Sequence, residues 1–108
     1  MQTVNKPKLR SVVRAVTPKE IAQWVVSETR KKVGDKFDFK KEIDALKESE
    51  EAQVELKRNL IRLFCSMRHV EKILEKFPKG TSFNYMEVSV PEFMDEVISN
   101  IISNQDIE

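Results

Sequence analysis

LKRNLIRLFCSMRHVEKILEKF, residues 56–77, is the stretch on which the fold turns. Leu56, Leu60, Leu63, Met67, Val70, Leu74 and Phe77 recur at alternating spacings of four and three, the seam of a helix laid against other helices. Ile61, Phe64 and Cys65 widen that seam, so that between Leu60 and Met67 only Arg62 and Ser66 are polar. A helix apolar on so many sides is enclosed by its neighbours, which predicts a mainly α fold: a small helical bundle built around one long central helix.

Working outward toward the N-terminus, neither Gly nor Pro interrupts the chain between Phe39 and Phe77. A helix of that length would extend roughly 58 Å at 1.5 Å per residue. Between Leu46 and Leu56, however, only Ala52 and Val54 are apolar, and Ser49 followed by Glu50 and Glu51 has the form of a fresh helix start. A break near 48–50 is expected, giving helices over 39–48 and 50–77. Asp38 is the candidate cap of the first of these.

Thr17-Pro18-Lys19-Glu20 is the clearest local signal. Thr17 is placed to accept from the N–H of Glu20, Glu20 to reach back to Thr17, and Pro18 occupies the first helical position, where its missing N–H costs nothing. The helix so begun runs to Val33, with Arg30, Lys31 and Lys32 over its negative dipole end and Gly34 as a positive-φ cap. Residues 9–16 fit either a helix face or a short strand, and 81–90 (TSFNYMEVSV) have strand-like content without clean alternation; a short strand pair, 9–16 with 83–90, is the expectation if both are extended. Pro78-Lys79-Gly80 ends the central helix. Ser89-Val90-Pro91-Glu92 repeats the capping pattern, and Phe93, Met94, Val97, Ile98, Ile101 and Ile102 give a terminal helix near 91–103 with one broad apolar face. The expected core contains Trp24, Leu60, Leu63, Phe64, Met67, Leu74, Phe93 and Ile98.

The chain has 108 residues, 40% hydrophobic and 34% charged, with 2 Gly and 4 Pro, which is the make-up of one soluble helix-rich domain over 1–108 rather than a disordered or fibrous chain. Residues 1–8 read as a flexible basic arm and 104–108 as a frayed tail. One Cys excludes an internal disulfide framework, and with no apolar run of signal-peptide or membrane-span length a cytoplasmic location is expected.

The net charge of +1 conceals an asymmetry. Residues 1–34 carry eight bases against two acids, a net of +6, and residues 78–108 one base against six acids, a net of −5. Candidate polyanion-binding residues follow: Lys6, Lys8, Arg10, Arg14, Arg30, Lys31 and Lys32. Arg58, Arg62, His69, Lys72 and Lys76 fall near one stripe of the long helix. Bases near helix C-termini are favoured without any ligand, and 18–47 makes a poor helix-turn-helix, because FKKEIDALK has acids among its bases and no Asn, Gln or Arg.

Signs of catalysis are weak. Cys65 and His69, four apart on one helical face, suggest a nucleophile and base or half a metal site, yet zinc needs about four ligands and there is no other Cys or His. Asp44, Glu48, Glu50, Glu51 and Glu55 fit a solvated helix start better than a carboxylate centre, and two glycines cannot build a phosphate loop. The expectation is a protein that is not an enzyme and needs no metal or cofactor. It would be a protein–protein interaction module, an adaptor, assembly factor or inhibitor, whose partner is another protein or a second copy of itself as a homodimer. Nucleic acid is the alternative partner, and a membrane is not expected. Phe93, Val97 and Ile101 are the candidate partner-binding residues if the last helix is not used within the bundle.

Overall fold

The computed structural model describes residues 14–85 and 89–103. It is a mainly helical fold with one minimal parallel strand pair. In chain order the elements are β1 (Arg14–Ala15), α1 (Pro18–Val33), a 3₁₀ turn (Gly34–Lys36), α2 (Phe39–Glu48), α3 (Glu50–Phe64), α4 (Met67–Leu74), β2 (Thr81–Ser82) and α5 (Val90–Ser103).

The helix starts are set by side chains close in sequence. At α1 the capping box is complete: Thr17 Oγ1 accepts from the Glu20 N–H at 3.2 Å, and Glu20 Oε1 accepts from the Thr17 N–H at 2.9 Å. Gly34 closes α1 with φ 78°, a backbone angle that disfavours any side chain, and donates its N–H to the Arg30 carbonyl. Asp38 caps α2 through the Lys41 N–H. Ser49 both ends α2, donating to the Leu46 carbonyl, and caps α3, accepting from the Ala52 N–H at 3.0 Å. Gln53 Nε2 reaches back to the same Leu46 carbonyl at 3.0 Å, giving that oxygen a second donor beside the Ser49 N–H.

Two expectations are corrected. The strands pair as Arg14 with Thr81 and Ala15 with Ser82, so the partner of the first strand is 81–82 and not 83–90. The backbone bonds from Arg14 N–H to Gly80 O and from Val16 N–H to Ser82 O fix that register, and residues 9–13 lie outside the described residues, as do 1–8 and 104–108. The second correction concerns 50–77, which is two helices. α3 stops at Phe64, Cys65 and Ser66 leave the helical conformation, and α4 begins at Met67.

The reason for that break is visible in what is buried. Leu60 and Phe64 of α3 and Val70 and Ile73 of α4 all enter one core. From Phe64 to Val70 is six residues, and at about 100° per residue an unbroken helix would turn Val70 roughly 120° away from the Phe64 face. One straight helix buries either pair. Two helices joined by a bend bury both.

The centre of the bundle is also displaced from where the sequence pattern puts it. α5 packs against α1, α2 and α3, and Val90, Phe93, Met94, Val97, Ile98 and Ile101 are all buried. α1 supplies Ile21, Ala22 and Val26, and Val16 closes the end beside the strands. Of the expected core, Leu60, Phe64, Phe93 and Ile98 are buried. Trp24, Leu63 and Leu74 are half-buried against it, and Met67 is 75% exposed.

Candidate functional site

Large apolar side chains reach the surface at Val33, at Val54 of α3, and around the bend between α3 and α4, where Met67 is the most exposed of them. Phe64 ends α3 in the core, Cys65 follows with an exposed thiol, and Met67 opens α4 in solvent. Together with Tyr85, itself 39% exposed, they border a hollow of about 280 Å3. Its floor is core: Phe64, Val70 and Val90 are buried, and Phe83 forms a wall.

An aromatic cluster ties this hollow to the interior. Phe83 lies 5.0 Å from Phe64, 5.0 Å from Tyr85 and 5.1 Å from Phe93 between ring centroids, the last of these edge-on. Tyr85 also meets Phe93 at 4.5 Å, and Phe64 meets Trp24 edge-on at 6.2 Å. Offset and edge-on pairs of this kind add stability beyond the area they bury, so the wall of the hollow is held by the same contacts as the core. The indole Nε1 of Trp24, at the inner end of the cluster, has no hydrogen-bond partner among the described residues.

Two further concavities lie elsewhere. One of about 410 Å3 runs between α3 and α5, crossed by the ion pair of Lys57 Nζ with Asp95 Oδ1 at 2.8 Å and edged by Val54 and Ile102. Another of about 220 Å3 sits between α1 and α2 over Val25, Phe37, Phe39 and Ile43.

The candidate partner-binding residues of α5 are consumed by the fold. Phe93, Val97 and Ile101 are 2%, 0% and 3% exposed, because α5 closes the chain's own core. The candidate polyanion-binding residues are dispersed. Lys6, Lys8 and Arg10 lie outside the described residues. Arg14 grips Glu20 through two bonds of 3.1 and 2.8 Å. That guanidinium, aided by the Thr17 N–H and hydroxyl, holds the Glu20 carboxyl below its ordinary range against the opposing effect of partial burial, while the carboxylate raises the pKa of Arg14. Lys31 pairs with Glu28 at 3.3 Å, Arg30 lies over the Phe37 ring at 4.8 Å, and Lys32 is exposed. The stripe expected from Arg58 to Lys76 is cut at residues 65–66. The same bend ends the premise that Cys65 and His69 share one helical face.

Among the described residues, no three His, Cys, Asp or Glu side chains come together as a metal ion would require. Nor is any described helix long and apolar enough to cross a membrane.

Met67 and Tyr85 escaped the sequence reading for different reasons. Met67 sits on a seam that is regular only if the helix is continuous, and the one contrary signal is Ser66, a residue suited to a helix start. Tyr85 belongs to a stretch with no periodicity to assign its side chain inward or outward. Compared with family models, with curated proteins and with solved structures, the chain has no match.

Proposed function

We propose that this chain is a non-enzymatic protein–protein interaction module, an adaptor, assembly factor or inhibitor, that binds its partner at the α3–α4 bend. The observation that carries this is the exposure of Met67 and Tyr85 around a hollow whose floor is core. A large apolar side chain left three-quarters in water gains free energy when a partner covers it, and methionine adapts its shape to what it covers. The hollow is stiff underneath because Phe64, Phe83 and Phe93 hold one another, so little order is lost on binding.

Nucleic-acid binding has less support, since Arg14 and Lys31 are already engaged with acids of the chain itself. The test is recovery of bound proteins from the source cell on the full tagged chain and on its Met67→Asp variant. A protein held by the first and lost by the second, with thermal melting unchanged, is the expected result. The proposal is overturned if both retain the same proteins, or if what they retain is RNA or DNA released by moderate salt and by charge reversal at Arg30, Lys31 and Lys32.

A further inference from the structure

α3 has an exposed valine at the centre of a charge pattern that changes sign across it. Val54 is 52% exposed, at the edge of the hollow of about 410 Å3 between α3 and α5. Glu50 and Glu51 stand four and three residues before it, Lys57 and Arg58 three and four residues after it, so all four are its neighbours on one helix face. Glu50, Glu51 and Arg58 are exposed and Lys57 partly so. Acids at the start of a helix suit its dipole without any partner, but the dipole gives no reason for a valine left in water between acid and base. The two bases already meet acids of their own chain, Lys57 Nζ with Asp95 at 2.8 Å and Arg58 Nη1 with Glu55 at 3.3 Å. An ammonium has three donors and a guanidinium five, so each keeps donors for a second acid. Glu50 and Glu51 make no ion pair among the described residues.

A face with this pattern is complementary to itself when turned end for end. We infer that α3 is a self-association face, on which a second copy of the chain packs its own α3 antiparallel across a two-fold axis at Val54. The residue four places after Val54 then faces the residue four places before it in the copy, so Arg58 meets Glu50 and Lys57 meets Glu51, each twice by symmetry. The two valines cover one another beside Ile98 and Ile102, the apolar wall of the hollow. On α5 the acids Glu92, Asp95 and Glu96 precede the uncharged Ser99, Asn100 and Ser103, so the same antiparallel arrangement sets acid against uncharged residue. Asp106 and Glu108 lie outside the described residues, and the pairing uses neither. A parallel copy would set like charge on like, a nucleic acid would meet Glu50 and Glu51, and a peptide of one sign would answer half of the pattern. The bend is at the other end of α3, about 15 Å along the helix from Val54, so this inference stands apart from the interaction site proposed above.

Sedimentation equilibrium of the full chain is the test, and the mass is expected to rise from monomer to dimer with concentration. Val54→Glu puts two carboxylates at the axis and should weaken the dimer about tenfold or more. Glu50→Lys sets a lysine against Arg58 of the copy, and Arg58→Glu sets a glutamate against Glu50, so each variant alone should weaken the dimer to a similar degree. An equimolar mixture of these two variants should recover a heterodimer, because every facing pair is then opposite in sign. Mixing does not repair a damaged fold, so recovery separates pairing from misfolding, and circular dichroism melts show that each variant is folded alone. A monomer mass up to about 1 mM would overturn the inference. So would a dimer indifferent to Val54→Glu, charge variants that stay monomeric when mixed, or assemblies that grow beyond two copies, which mark a head-to-tail contact.

Discussion

α5 and the 50–77 region both carry long apolar patterns, and the chain uses them in opposite ways. α5 keeps its charges, Glu92, Asp95 and Glu96, on one side together with Ser99 and Ser103, so the whole opposite face from Val90 to Ile101 enters the core. In the stretch 56–77 of the other region the apolar residues alternate with Lys57, Arg58, Arg62, Arg68, Glu71, Lys72, Glu75 and Lys76, and each of these charged heads must reach water. The region with the longer seam therefore lies at the periphery, and the shorter helix with fewer charges is enclosed. Counting apolar residues identifies helices that pack. Where the charges leave no exit decides which one is surrounded.

The sharpest way to break this comparison is to truncate a central side chain. Phe93→Ala removes a buried ring that also braces Phe83 and Tyr85, and about 3–5 kcal/mol of stability should be lost in chemical denaturation. A loss below about 1 kcal/mol would show that α5 is not the centre. Leu63→Ala probes the seam residue that the bend leaves half-buried. Its cost should be about 1–2 kcal/mol, under the roughly 2–5 kcal/mol of a fully buried leucine, because part of the side chain is already in water. A value in the upper range would mean that the seam faces the core after all.

The two serines of the same region offer a finer contrast. Ser49→Ala loses the cap bond to the Ala52 N–H and should cost about 1 kcal/mol, whereas Ser66→Ala loses no cap bond and should change the melting point little. Equal effects would contradict the difference between the two helix starts.

Outside both regions, Glu20 supplies a pH dependence. Its pKa is lowered in the fold, chiefly by the Arg14 guanidinium, so the unfolded chain takes up the proton first as the pH falls. The stabilisation is complete above the ordinary carboxyl range near 4.5 and is lost as the pH drops through the lowered folded value. Arg14→Gln should flatten that part of the stability profile, and an unchanged profile would remove the pair from the account. Smallest of all is Met67→Ala, expected within about 0.5 kcal/mol of the parent, since the side chain is in solvent. A large loss would place Met67 in the core and the candidate site with it.

Much of the local architecture is legible along the chain because its causes are local. Thr17 with Glu20, Asp38, Ser49 and Gly34 each act within about three or four residues of themselves, and the helix limits at 18–33 and 39–48 follow from those contacts. The strand pair is legible only in part. Pairing 14–15 with 81–82 depends on where four intervening helices bring the two segments, and no short-range pattern encodes that distance.

The candidate site was the least legible, and for a physical reason. By itself the sequence determined that the chain is helical, where α1, α2 and α5 start and end to within about one residue, and that α5 has one apolar face. Only the tertiary structure decided that α5 is enclosed, that the seam of 56–77 bends at Cys65 and Ser66, and that Met67 is thereby left outside. A periodic pattern states which side chains share a face on a straight helix. It does not state whether the core is better filled by keeping that helix straight, and here burying Leu60, Phe64, Val70 and Ile73 together required the bend.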